Sequence, residues 1–202
     1  MVDSQTWLDQ NYPDNGLCIR VEDSENYNKP RNAIVINLDI SNQNLKGNLQ
    51  LGSSFSKLKK FNCSFNKLTE LGWGSLESIE EIDQSHNQIN GSKDIQSKFA
   101  PNLKKLNFSD NYISGFNLST PKLAYLDATN NLLTSLVLNS TSNLVELKCS
   151  NNSISSLTLS KSFNLVLFDC FDVKLVTMVP TPTSSLSSQS TSRFPTDVMK
   201  LM

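Results

Sequence analysis

Hydrophobic residues recur along this chain in one fixed grouping. Each copy reads apolar-x-x-apolar-x-apolar-x-x-Asn-x-apolar, and the first unbroken copy contains Leu58, Phe61, Cys63, Asn66 and Leu68. Four further copies follow, and their successive asparagines are 21, 24, 20 and 21 residues apart. A nearly constant period of this length indicates a stack of similar supersecondary units.

The fourth and sixth positions of each copy predict a short strand. They are apolar with one residue between them, so both side chains point to the core. Stacking the copies about 4.8 Å apart gives a parallel sheet with one strand per repeat. A repeat of 20 to 24 residues leaves no room for a long helix as well. We therefore expect a repeat solenoid whose convex side is extended or 3₁₀.

The asparagine at the ninth position lies where the chain must turn after the strand. Its amide both donates and accepts, so it can satisfy backbone groups of its own turn and of the neighbouring turn. A buried polar side chain needs such partners. We predict that a structural ladder is formed by Asn66, Asn87, Asn111, Asn131 and Asn152.

Four segments carry the motif almost unbroken: LKKFNCSFNKL, LKKLNFSDNYI, LAYLDATNNLL and LVELKCSNNSI. In these segments the chain resembles leucine-rich repeat proteins of the short-repeat, L domain-like kind. The resemblance extends from about residue 35 to about residue 175. It implies a non-catalytic protein-protein interaction module that binds an unidentified protein through its concave strand face.

The repeats divide the chain into three predicted parts. Residues 1–33 form an N-terminal cap and irregular lead-in, 34–175 a solenoid of about seven repeats, and 176–202 a disordered tail. A helix over 6–12 is expected to cover the open end of the stack, with Trp7, Leu8 and Tyr12 inward and Pro13 ending it. In the tail, nine of the twelve residues from 181 to 192 are Ser or Thr, a composition typical of disorder.

The last copy departs from the motif, since Val173 replaces the asparagine and Phe171 replaces a Ser or Thr. Two interpretations remain open. In one, the chain is a truncated repeat fragment of a larger regulatory or signalling protein whose catalytic part is absent. In the other, the uncapped C-terminal repeat docks on something, self-association included. Truncation is favoured, because uncapped ends usually signal missing repeats.

Charge and composition restrict the partners. A net charge of −1 and a pI near 5.8 give no general attraction to nucleic acid or to an anionic membrane. No run of 18 apolar residues and no secretory leader are recognisable. We expect neither nucleic acid nor a membrane as a partner, and a cytoplasmic location.

The positions of the cysteines also favour a cytoplasmic location. Cys63, Cys149 and Cys170 occupy the sixth motif position, where they serve as small hydrophobes. Parallel Cβ directions on neighbouring strands suit a Cys149–Cys170 disulfide poorly, so we expect reduced thiols. No cysteine pair has the spacing of metal ligands, and we expect no metal and no cofactor.

Outward strand positions form the candidate binding surface. By alternation these are the third, fifth and seventh of each motif. Alternating lysines and glutamates favour a self-neutralised, solvated face, whereas Tyr125 among charged residues favours recognition. The candidate partner-binding residues are Lys60, Asn62, Glu81, Asp83, Lys105, Asn107, Tyr125, Asp127, Glu146 and Lys148.

Three further features of the sequence could indicate a function other than binding. Gln84 occupies a core position, and we expect its amide to pair with backbone or with a buried water. Asp83, Ser85 and His86 resemble a catalytic triad in composition, but adjacent residues on a strand point in different directions. Asp39, Asp83 and Asp127 recur on alternate strands without an enclosed pocket. The sequence therefore predicts no enzyme.

Overall fold

A computed structural model describes residues 2–31, 35–96, 98–159 and 165–170, without the side chain of residue 96. The expected disordered tail, Phe171 and Val173 lie outside these residues. Within them, one continuous parallel sheet on the concave side faces two shorter parallel sheets on the convex side across a continuous apolar core that contains the fourth and sixth motif positions.

The concave sheet contains seven three-residue strands, one per repeat, all parallel and in sequence order. Each strand pairs its three residues with the corresponding three of the next, with no slip in register. The predicted solenoid with one strand per repeat is confirmed. The strands are β2 Asn37–Asp39, β4 Lys60–Asn62, β6 Glu81–Asp83, β8 Lys105–Asn107, β10 Tyr125–Asp127, β12 Glu146–Lys148 and β14 Leu167–Asp169.

The convex side is extended, with a single 3₁₀ turn at Ser53–Phe55 among the described residues. Its strands form two separate sheets, one of order β1-β3-β5 and one of order β13-β11-β9-β7. The concave sheet runs past the break between β5 and β7 without interruption. The strands are β1 Val2–Asp3, β3 Leu45–Gln50, β5 Lys67–Gly72, β7 Asn90–Gln96, β9 Tyr112–Ser119, β11 Ser135–Leu138 and β13 Ser156–Leu159.

A helix, α1 Ser4–Asn11, lies against β3 at the N-terminal end of the stack. Asp3 caps it, because its carboxylate accepts from the Thr6 backbone N–H at 2.9 Å. Leu8 and Tyr12 are fully buried, and Trp7 is partly buried against the same core. The helix begins two residues before the predicted start and covers the end of the stack.

Arg31 joins this helix to the repeats, which the sequence did not predict. Its buried guanidinium donates to the Tyr12 carbonyl at 2.6 Å and to the Ser54 hydroxyl, and it lies over the Phe55 ring. The carboxylates of Asp9 and Asp14 form ion pairs with the Arg31 guanidinium and balance its positive charge. Paired in this way, a buried cation is tolerated.

The expectation of reduced thiols is wrong for two of the four cysteines. Cys149 and Cys170 form a disulfide, with Cα atoms 4.7 Å apart. That separation lies within the usual range for disulfides, since stacked parallel strands bring equivalent positions close enough despite parallel Cβ directions. Cys18 and Cys63 are buried free thiols, and burial raises the pKa of Cys63. The cytoplasmic location stays a prediction, without support from the disulfide-bonded pair.

Candidate functional site

The concave sheet brings the candidate binding residues together in two parallel rows. Because the register never slips, equivalent motif positions lie beside one another on adjacent strands. The third-position row is Asn37, Lys60, Glu81, Lys105, Tyr125, Glu146 and Leu167. The fifth-position row is Asp39, Asn62, Asp83, Asn107, Asp127, Lys148 and Asp169.

The third-position row neutralises most of its own charge. Glu81 lies between two lysines, 3.3 Å from Lys60 Nζ and 3.9 Å from Lys105 Nζ. Lys105 also places its ammonium 5.5 Å from the centroid of the Tyr125 ring. Such exposed pairs each contribute little to stability. They do hold these side chains in an ordered arrangement beside Tyr125, which is 42% exposed.

Lys148 completes this charge pattern from the other row. Its ammonium lies 2.6 Å from the Glu146 carboxylate. This hydrogen bond, followed by the nearby charges of Asp127 and Asp169, raises the pKa of Lys148. The lysine is therefore cationic throughout the neutral range, and among the described residues Glu146 is its salt-bridge partner.

Fifth-position residues terminate their own strands. Asp83 Oδ1 accepts from the Ser85 backbone N–H at 3.0 Å and from its hydroxyl at 2.6 Å, and Asp127 does the same for Thr129. Asn62 performs this role with its amide oxygen for Ser64. These are Asx turns, so the residues predicted for binding also have a structural function.

The carboxylates of four aspartates of this row form no salt bridge among the described residues: Asp39, Asp83, Asp127 and Asp169. Arg20 does donate to the Asp39 backbone carbonyl, at 2.6 Å. The four aspartates alternate with other residues along the sheet, and so lie on every second strand. Counting both rows, three lysines face six carboxylates, which leaves a net formal charge of −3 on the concave face. The whole chain carries only −1, so acidity is concentrated here.

The expectation that the seventh motif position faces outward is wrong for most repeats. Ser64, Ser85, Ser109 and Ser150 are all at least nine-tenths buried, whereas Ser41 and Thr129 are partly buried. Each concave strand ends at the fifth position, so strand alternation no longer determines the direction of the seventh side chain. The accessible surface therefore consists mainly of two rows.

The two rows, as far as Glu146, line a shallow, open depression of about 710 Å³. Its lining runs from Asn37 and Asp39 at one side to Tyr125, Asp127 and Glu146 at the other.

The asparagine ladder supports this sheet along one edge. In each repeat the amide nitrogen donates to carbonyls of its own turn and of the preceding turn; Asn131, for example, reaches Phe108, Ala128 and Thr129 at 3.0 to 3.3 Å. The amide oxygen accepts a backbone N–H from the preceding repeat, as from Ile113 at 3.0 Å. The same pattern recurs at Asn66, Asn87, Asn111 and Asn152, and all five are buried.

The protein is a leucine-rich repeat-type solenoid. Its parallel concave strands, repeats of about 21 residues and continuous asparagine ladder are together the architecture of that class. Such solenoids are commonly protein-interaction scaffolds and are typically not catalytic.

Comparisons with known proteins add little to this architecture. No protein-family model and no curated protein matches the chain. Among solved structures, the chain is similar to YopM from Yersinia enterocolitica WA-314, at 22% identity and a TM-score of 0.38. The alignment covers 76% of this chain and 40% of that chain, so the present chain spans less than half of its length. The fold described above rests on its own geometry.

The triad-like residues are engaged separately. Ser85 Oγ donates to Asp83, whereas His86 stacks on Phe65 with ring centroids 4.1 Å apart and lies 3.4 Å from Asp110. Their side chains therefore provide no relay from carboxylate through imidazole to hydroxyl.

Gln84 has a different partner from the one expected. Its Oε1 accepts from the Trp73 indole N–H at 3.3 Å, inside the core. Elsewhere in the described part of the chain, no group of three His, Cys, Asp or Glu side chains has the geometry to hold a metal ion. No described helix is long and apolar enough to cross a bilayer.

Proposed function

We propose that the protein is a non-catalytic interaction module that binds an extended, basic segment of a partner protein across its concave sheet. The observation that carries this proposal is the concentration of acidity on this face, where the carboxylates of Asp39, Asp83, Asp127 and Asp169 form no salt bridge among the described residues, beside an exposed Tyr125. A concave face with a net negative charge attracts a basic segment and accelerates encounter.

The spacing of the row suggests the conformation of the partner. Aspartates on every second strand are about 9.6 Å apart, given about 4.8 Å between strands. A polyproline II segment rises about 3.1 Å per residue with three residues per turn, so every third side chain repeats after about 9.3 Å on one face. Lysines or arginines at every third position would therefore meet successive aspartates.

Tyr125 supplies the apolar part of this recognition. The Lys105 ammonium lies over its ring, which is exposed at the fifth of the seven places in the third-position row. Aromatic rings that line a groove are the usual docking surface for polyproline II segments. Tyrosine is also among the residues that most often dominate binding energy at interfaces.

A composition-matched pair of peptides tests this proposal. Both contain eight prolines and four lysines, one with lysine at every third position and the other with the lysines adjacent. We expect the spaced peptide to bind the protein at least about tenfold more tightly in calorimetry, with affinity falling as salt rises. Equal affinity for the two peptides would contradict the proposed register.

The chain itself provides an isosteric variant. Asn62 and Asn107 cap their turns through the amide oxygen in the same way as the aspartates do, so Asp83→Asn/Asp127→Asn removes two charges and keeps the turn hydrogen bonds. We expect this variant to bind the spaced peptide about tenfold more weakly and to unfold within about 0.5 kcal/mol of the original. The matched control is Glu70→Gln/Glu77→Gln, which removes two exposed charges outside the depression and should leave affinity unchanged.

A further inference from the structure

A second depression lies where the two convex sheets separate. The β7 strand pairs along its whole length with β9 and not with β5. The adjacent turns are joined by backbone bonds from Gln88 N–H to the Leu68 carbonyl and from Leu76 N–H to the Phe99 carbonyl, both at 2.8 Å. Between these bonds the two turns diverge and leave a cavity of about 300 Å³. Leu71 closes it on the β5 side and Ile95 on the β7 side.

The walls of this cavity are mainly apolar, and the cavity is open to solvent on one side. Trp73, Ile89 and Ile95 line it and are each at least nine-tenths buried, whereas Phe99 is 38% exposed at the solvent side. The volume is about twice that of an engineered apolar cavity of about 150 Å³ that binds benzene. It lies at the lower end of the range of about 300–1,000 Å³ for ligand pockets.

One polar group in this cavity has a single defined orientation. Gln84 is 97% buried, and its Oε1 accepts from Trp73 Nε1. An indole N–H can only donate, so the carboxamide oxygen must face the indole and the NH₂ group must point away from it. That Nε2 donates to no described atom, and Gln84 lines the cavity. Nε2 is not among the fully buried unpartnered atoms of the described structure, so this donor is accessible from the cavity and a ligand acceptor can pair with it.

We propose that this cavity binds a small, neutral, apolar molecule that carries one carbonyl oxygen. The carbonyl would accept from Gln84 Nε2, and the apolar body would pack against Trp73, Ile89 and Ile95. Lys93 and Asp94 also line the cavity, and their opposite charges give no net preference for an ion. The inference is independent of the concave face, which lies on the other side of the core.

Acetophenone and the hydrocarbon α-methylstyrene form a matched pair of probes, because a methylene group replaces the carbonyl oxygen on the same trigonal carbon at almost unchanged shape. Ligand-detected NMR titrations with the full chain give both affinities. In Trp73→Phe/Gln84→Leu, which removes both indole and amide donors, we expect the ratio of ketone affinity to hydrocarbon affinity to fall about five- to tenfold, as for one lost hydrogen bond. An unchanged ratio, or no saturable binding of either probe to the original chain, would overturn the proposal.

A second measurement does not depend on how the variant folds. The chain has two tryptophans, Trp7 in the N-terminal cap and Trp73 in the cavity. Acetophenone should shift the Trp73 indole N–H resonance and the Ile95 methyl resonances, and leave the Trp7 indole unchanged. The two indole signals are assigned with Trp7→Phe. Equal shifts at both indoles, or a shift at neither, would show that no specific site exists.

Discussion

The repeats beyond residue 108 and the junction between β5 and β7 are built from the same motif, but they differ in how their convex strands pair. Beyond residue 108, both sheets are continuous, and Gly115, Ser135 and Ser156 pair in one register on the convex side. At the junction the concave strands β4 and β6 pair as regularly as elsewhere, while the convex strands part and leave a cavity. The two faces of one repeat can thus differ in regularity.

This difference shows which part of the repeat the motif determines. The ladder asparagine follows the concave strand directly and joins each turn to the previous one, so a concave strand has little freedom to shift. The convex side has no comparable row of buried asparagines. The extra residues of the longer, 24-residue spacing between Asn87 and Asn111 are accommodated there. Regularity on the concave side keeps the two rows of the candidate binding surface aligned.

We expect the largest loss of stability when an asparagine of the regular part of the ladder is replaced. Asn131→Ala removes the partners of Ile113 N–H and of three carbonyls inside the core. Since each buried group without a partner costs about 1–3 kcal/mol, the free energy of unfolding should fall by about 4 kcal/mol in urea denaturation. Asn117→Ala, an exposed strand position without a side-chain hydrogen bond in the described structure, should change it by under about 0.5 kcal/mol. Equal losses of stability in the two variants would contradict a stabilising role for the asparagine ladder.

The disulfide supports the regular region at its far edge. Cys149 and Cys170 are 21 residues apart, and closing a loop of that length stabilises a fold by about 3 kcal/mol. Cys170→Ala should lose about this much, with faster amide exchange concentrated in β12 and β14 because stability in a solenoid is local. Thiol titration of the denatured, unreduced protein should find two thiols, the buried pair Cys18 and Cys63. A count of four would show that the bond does not form.

A smaller effect distinguishes the junction from the regular repeats directly. Ile95 and Leu118 are partners in the β7–β9 register, but Ile95 borders the cavity and Leu118 is packed on all sides. We expect Leu118→Ala to cost about 3 kcal/mol and Ile95→Ala about 1.5 kcal/mol, because the cost rises with the contacts that are lost. Chemical denaturation of the two variants measures the difference, and an equal or greater loss at Ile95 would indicate a filled, well-packed junction.

The concave half of this fold could be predicted from sequence because it follows from local spacing. Alternation fixed the strand at the fourth and sixth positions, and the third- and fifth-position rows follow from it. The Asx turns at Ser64 and Ser85 could have been foreseen, since an Asp or Asn two residues before a Ser is their signal. Spacing placed Cys149 and Cys170 on neighbouring strands, but the distance between their Cα atoms, which allows the bond, is a property of the folded stack. The Arg31 network depends on contacts between the N-terminal cap and the repeats, which spacing does not reveal.

The motif also could not predict the break between β5 and β7 on the convex side. Gln84 marked the position as unusual, and the longer spacing after Asn87 marked the region. Neither feature identifies Trp73 as the partner of Gln84, because that contact depends on how far β7 moves away from β5. Polar residues at otherwise apolar motif positions are the signal to examine in other repeat arrays.

The most direct test of the account is to locate the spaced proline-lysine peptide by amide chemical shifts on the isotope-labelled protein. The account predicts shifts that follow the concave strands, strongest around Asp83, Tyr125 and Asp127, with convex positions such as Leu118 and Leu136 unchanged. Shifts confined to the convex strands, or none at a peptide concentration that saturates binding, would contradict the claim that the acidic row is the binding surface.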